Sequence, residues 1–189
     1  MKSQQQILVL VAATALLAAT TAAYSSAVKP NALQRLRLRM GGGKKLREEV
    51  VSRYFDGVQK QSREQIVSCF DPAGTKIRDV CGVSNSERTA TPDQLGDRCM
   101  EFLAAHPDVL VKFHLPPTCL HGKSRWVWAN WYEEGTWSGE SQGIAPQGTP
   151  LDVEGQTRFL VNDDLKIERM VVTRTFSDWE KESQNQAKK

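Results

Sequence analysis

The chain has 189 residues, with 25 Lys and Arg against 22 Asp and Glu, for a formal net charge of +3. Eight of the basic residues (Lys2, Lys29, Arg35, Arg37, Arg39, Lys44, Lys45 and Arg47) lie in residues 1–47, which hold no acid, leaving 17 basic and 22 acidic residues and a charge of −5 for residues 48–189. The pI near 8.7 therefore belongs to the N-terminal segment, and it does not support nucleic-acid binding by the body of the chain.

Residues 1–44 read as a cleaved targeting presequence in two parts. Lys2 precedes an apolar, alanine-rich run, residues 7–23, that ends in small residues suited to a signal-peptidase site. Residues 24–44 supply Ser and Arg without acid, the composition of a transit peptide, and Leu33, Leu36 and Leu38 beside three arginines suit a short amphipathic turn. The order of parts resembles the bipartite presequences of algae with secondary plastids, with Tyr24 where those presequences favour Phe. Plastid (chloroplast) import is the expectation, with cleavage between Tyr24 and Lys45 and Met40/Gly41 as a final site. Two rivals stay open: plain secretion, and an uncleaved anchor, since 17 apolar residues are the lower limit for a spanning helix. No stable membrane insertion is expected after processing.

Residues 45–180 have the length of one domain, and residues 181–189 lack an apolar side chain large enough to dock, so they read as a flexible tail. Leu46, Val50, Tyr54, Phe55 and Val58 recur at helical spacing over residues 45–60. Ser62 and Gln65 form a capping box for a second helix carrying Ile66, Val67 and Phe70, and Asp71-Pro72 stops it. Residues 75–81 suit a short strand. Thr91-Pro92-Asp93-Gln94 then combines an N-cap, a proline at the first helical position and a Gln at the third; Leu95, Cys99, Phe102 and Leu103 point inward, and His106-Pro107 ends that helix.

From Val109 the period becomes two. Val109, Val111, Phe113 and Leu115 share one side of a strand; Trp126, Trp128, Asn130 and Tyr132 share a side of the next; Val153, Thr157, Phe159 and Val161 mark a third, and residues 165–176 complete a hairpin after Asn162-Asp163-Asp164. The expected fold is α+β: a cone-shaped, curved antiparallel sheet packed against three N-terminal helices. His114 reads as exposed, His106 as helix-terminal and His121 as part of a turn. Cys69, Cys81, Cys99 and Cys119 show no CxxC pair and no His at metal spacing, so they read as small buried hydrophobes, and no metal or cofactor is expected. In a secreted chain, their even number would permit two disulfides in any of three connectivities. The tryptophan-rich hairpin suits a pocket or core on one face and a partner surface on the other; with Glu133, Glu134 and Glu140 nearby, no nucleic acid is expected there.

This element order, with Val153-x-Gly155 leading to Phe159 and Asp163-Asp164-Leu165-Lys166-Ile167 at the last turn, resembles the nuclear transport factor 2-like superfamily, which includes SnoaL-like polyketide cyclases and ketosteroid isomerases. The resemblance covers roughly residues 46–180 and implies a sheet curled around a cone with a pocket at its wide end. Residues 50–66 look like the first helices of bacterial ketosteroid isomerases, which implies catalytic roles for Tyr54 as donor to an oxyanion and Asp79 as general base. Thr157 stands where that family has a third, protonated acid. The ligand pocket is expected to involve Phe55, Phe102, Trp126, Trp128, Thr157, Phe159 and Met170. The leading expectation is binding of a small apolar or carbonyl-bearing ligand, with isomerase or cyclase catalysis by Asp79 and Tyr54, and a non-enzymatic assembly role, as the alternatives. A homodimer or a plastid protein partner is expected.

Overall fold

The computed structural model describes residues 30–80, 86–141, 143–178 and 180–181. The signal-like segment, Cys81 and the tail after 181 lie outside the described residues. Asn31 opens the first helix, α1 (Ala32–Arg39), through a reciprocal capping box with Gln34, both bonds 2.9 Å. Where the sequence suggested only a short turn, two full turns form. Gly41, at φ +80, then reverses the chain into α2 (Gly43–Gln59).

In α2 the positions Val50, Val51, Phe55 and Val58 bury one stripe, as a 3.6-residue period requires. Gln61 leaves the helix at φ +53, and the Ser62 amide returns to the Gly57 carbonyl at 2.8 Å. Ser62 caps α3 (Arg63–Ser68) by accepting from the Gln65 amide, but Gln65 turns its own side chain to the Arg53 carbonyl and Asp56, so the expected box is only half made. Thr91 and Gln94 make the full box of α4 (Pro92–Ala105), with Pro92 in its first turn. A methyl group on Gly96 would lie 2.5 Å from the Val67 side chain, so this glycine sets how closely α4 lies on α3.

Six strands form one curved, unclosed sheet in the order β2-β1-β6-β5-β4-β3: β1 (Thr75–Asp79), β2 (Arg88–Ala90), β3 (Leu110–Cys119), β4 (Trp126–Thr136), β5 (Pro150–Val161) and β6 (Ile167–Arg174). Four pairings are antiparallel, as expected; β1 instead runs parallel to β6, with Ile77 opposite Met170. The β5–β6 turn is held by the Asn162 side-chain oxygen, which accepts from the amides of Asp164 and Lys166 at 3.0 and 2.9 Å. The inward row of β5, Val153, Thr157, Phe159 and Val161, is buried as its alternation requires. In β3 the phase changes at two irregularities, between Phe113 and Leu115 and between Leu115 and Thr118. Leu115 is therefore exposed rather than sharing the side of Val109.

The core lies between the sheet's concave face and α2–α4, around Val51, Ile66, Leu103, Val127, Phe159 and Ile167. His106 caps α4 and is fully buried, its Nδ1 3.0 Å from the Phe102 carbonyl, whereas His114 is exposed. Cys69 and Cys119 are buried and Cys99 partly so; these three carry free thiols.

Candidate functional site

A cavity of about 260 Å³ opens between α2, α4 and the concave sheet. Aromatic and aliphatic side chains make its inner wall, including Phe55, Phe70, Leu95, Phe102, Phe159 and Met170. The exposed Arg88, Arg98 and Glu101 mark its open side. Such a space is large enough for a small organic molecule and apolar enough to strengthen any electrostatic contact inside it.

Tyr54 projects from α2 into this wall. Its ring packs edge-on against Phe55 and Phe70, with centroids 5.1 and 5.5 Å away, and stands 5.7 Å from Phe159. Its hydroxyl lies 3.9 Å from the Cys99 sulfur of α4, a weak partner that leaves the phenol free to meet a ligand oxygen. Burial raises the Tyr54 hydroxyl well above its ordinary range, with the neighbouring Cys99 adding to the rise, so it stays protonated. Burial likewise pushes the Cys99 thiol up to about 11, which removes it as a thiolate nucleophile at neutral pH.

Glu133 was not among the expected site residues. It sits on β4 opposite Val153 and lines the cavity, and burial pushes its carboxyl up to about 7. Arg174 pulls the other way and Glu180 adds to the rise, yet among the described residues none donates a hydrogen bond to Glu133. A carboxyl that titrates near neutrality in an apolar cavity can both take and return a proton. Its negative charge is also felt at Tyr54 and Cys99, which places the three groups in one electrostatic neighbourhood.

Asp79, at the end of β1, lines the same cavity and accepts from Arg174 at 2.9 Å. Arg174 also grips Glu180 with both terminal nitrogens, at 2.6 and 2.5 Å, and the Ser177 amide and hydroxyl bind Glu180 from the other side. Burial alone would raise the Glu180 carboxyl; Arg174 and Ser177 outweigh it and hold it below the ordinary carboxylate range. The Asp79–Arg174–Glu180 cluster thus ties the residues after β6 to the rim of the cavity. Thr157 also lines it and accepts a 2.9 Å hydrogen bond from the Trp131 indole, so this position is neutral.

The structure brings Tyr54, Asp79, Phe55, Phe102, Thr157, Phe159 and Met170 to one cavity and leaves Trp126 and Trp128 out of its wall. In β4 the row facing inward is Val127, Ala129, Trp131 and Glu133, so the expected side was the wrong one for a pocket. Trp128 instead lies on the outer face, its ring 5.5 Å from the Arg158 guanidinium. The signal for Glu133 was present as the next even step after Trp131. Among the described residues no group of His, Cys, Asp and Glu is placed to hold a metal ion.

No family model matches the sequence, and no curated protein matches it. Solved structures do resemble it in shape. A Jannaschia sp. CCS1 protein classed as a SnoaL-like polyketide cyclase superposes with a TM-score of 0.58 at 21% identity, over 74% of this chain and 90% of that one. The epoxide hydrolase/cyclase-like enzyme SalBIII, described in pyran ring formation of the polyether salinomycin, gives 0.53 at 20% identity, over 69% and 91%. IdmH from Streptomyces antibioticus, classed as a polyketide cyclase, gives 0.53 at 16% identity, over 68% and 91%. With its helices and its curved unclosed sheet, the chain shares the α+β fold of these SnoaL-like structures.

Proposed function

We propose that the protein is an isomerase- or cyclase-type enzyme that binds a small, mainly apolar, carbonyl-bearing molecule in the cavity and moves a proton on it. The observation that carries this reading is the place of Glu133, a half-buried carboxyl in the wall of a mainly apolar cavity beside Tyr54, where burial pushes it up to about 7. Glu133 would take a proton from the carbon beside the ligand carbonyl, the resulting enolate oxygen would accept a hydrogen bond from Tyr54, and the proton would return to another atom of the ligand. Asp79 is the alternative base. Its bond to Arg174 favours a supporting place at the rim, and the closed-ring chemistry named for the structural neighbours supports the general class.

The test is exchange of α-hydrogens with solvent deuterium across a panel of apolar enolisable ketones. Exchange lost in Glu133→Gln and retained in Asp79→Asn supports the assignment. The reverse pattern transfers the role to Asp79, and no exchange by the unsubstituted protein overturns catalysis. Native mass spectrometry of that same protein then separates ligand binding, seen as retained mass, from an assembly role, seen as an empty tight dimer or a protein partner.

We propose plastid import as the route, with secretion as the alternative, on the composition of residues 1–47. Leu38 packs against Gly43 at the start of α2, which favours processing ahead of α1 over processing at Met40/Gly41. No described helix is long and apolar enough to cross a membrane. N-terminal sequencing of the native protein locates the cut.

A further inference from the structure

The cavity makes no use of α1. At 100° per residue, Leu33, Leu36 and Met40 fall on one stripe of this helix, and Leu38 falls on the opposite side, against Gly43. The stripe is bare: Leu33 is 58% exposed, Leu36 53% and Met40 77%. Arg37 and Arg39 flank it. The loop between β3 and β4 abuts the end of α1, since a methyl group on Gly122 would lie 2.5 Å from the Gly41 carbonyl oxygen. That loop brings Leu120, 71% exposed, and Lys123 to the same end of the molecule.

The charge of α1 and of the residues flanking it in sequence is of one sign. Residues 30–47 contain six basic side chains and no acid. Arg47 is buried and pairs with Asp163, and Lys44 pairs with Glu48, so both are answered within the fold. Arg35, Arg37, Arg39, Lys45 and Lys123 form no ion pair with any described acid, and Arg35 reaches only the Pro30 carbonyl through its Nε. A second copy of this chain docked here would set arginine against arginine. A surface of phosphates has the opposite sign, and an apolar layer beneath it suits the leucines and Met40.

We infer that α1 and the β3–β4 loop form a docking face for an anionic lipid surface, with α1 lying in the headgroup layer, its leucine stripe toward the acyl chains and its arginines on lipid phosphates. β4 runs from Trp126, beside this loop, to Glu133 in the cavity wall, so the face lies toward the other end of the strand from the proton-transfer site. The docking face is independent of the chemistry proposed for Glu133.

The test is vesicle flotation of the full chain with phosphatidylglycerol–phosphatidylcholine vesicles against pure phosphatidylcholine. Binding is expected only to the anionic vesicles and is lost in about 1 M salt, where screening acts within ~3 Å. Replacing Arg35, Arg37 and Arg39 together by Gln lowers the partition constant by about 100-fold. Leu36→Gln and Leu120→Gln each lower it by about tenfold; both positions are exposed, so the fold is kept. Three outcomes overturn the inference: equal binding to neutral vesicles, binding that all these variants retain (adsorption through residues 7–23), and no binding to either vesicle, including the case in which an acidic protein is captured instead.

Discussion

The Trp131 indole nitrogen donates to the Thr157 hydroxyl at 2.9 Å, joining β4 to β5 inside the cavity wall. Gly155 makes this possible, because its missing side chain leaves room for the Trp131 ring, which comes within 2.9 Å of where a methyl group would sit. The bond fills the position where the resemblance to ketosteroid isomerases implies a protonated acid. Thr157→Val leaves a buried indole N–H without an acceptor and is expected to cost about 1–3 kcal/mol. Chemical denaturation of Thr157→Val, Trp131→Phe and the double variant measures it. The double variant should lose less than the sum of the singles, because neither partner is then left waiting.

Glu133 gives the stability a pH dependence of definite sign. Its carboxyl is held at about 7 in the fold against an ordinary 4.5, so the folded state binds the extra proton between those values. Stability is therefore highest below about pH 4.5 as far as this group is concerned, and it falls as pH rises through 7, by roughly 2–3 kcal/mol. Glu133→Gln removes that slope and is the more stable form at pH 8. Urea titrations of both proteins at pH 5 and pH 8 decide it; parallel pH dependence in the two would show that Glu133 is ordinarily solvated.

Tyr54→Phe keeps the ring contacts with Phe55, Phe70 and Phe159 and deletes only the hydroxyl. If the phenol meets the developing oxyanion, α-hydrogen exchange falls by about 10²–10³-fold while the melting temperature barely moves. A large drop in melting temperature with little change in exchange would assign the hydroxyl to packing.

Phe159 is fully buried at the junction of α2 with the sheet, and Phe159→Ala is expected to cost about 3–5 kcal/mol. Leu115→Ala, on the strand whose phase is shifted, is expected to cost under about 0.5 kcal/mol. Equal losses in a denaturation series would place Leu115 in the core and contradict the irregular register of β3.

Much of this fold was legible because local chemistry and global packing agree. The Thr91–Gln94 box, the α2 stripe and the inward row of β5 each carry their own signal in the spacing of residues. What was hidden depends on partners distant in sequence. The inward row of β4 contains a small Ala129 and a charged Glu133, so the neighbouring row with Trp126 and Trp128 looked the more apolar. Only the register with β5 shows otherwise. The irregularities of β3 shift its alternation after Phe113, and the side chains there do not announce them. Asp79 and Tyr54 could be named from a resemblance, while the bridge that Arg174 makes between Asp79 and Glu180 could not, since Arg174 ends a strand and Glu180 lies beyond it.

The parallel pairing of β1 with β6 also sets the timing of folding. Thr75 and Arg174 are almost one hundred residues apart, and Met170, Val172 and Arg174 from β6 supply one wall of the cavity. At ordinary synthesis rates roughly 5–20 s separate the emergence of these two strands from the ribosome. Through that interval β1 has only β2 beside it, and the cavity lacks the wall that β6 supplies. The cavity is therefore the last part of the fold to close, when β6 has left the ribosome and taken its place between β1 and β5.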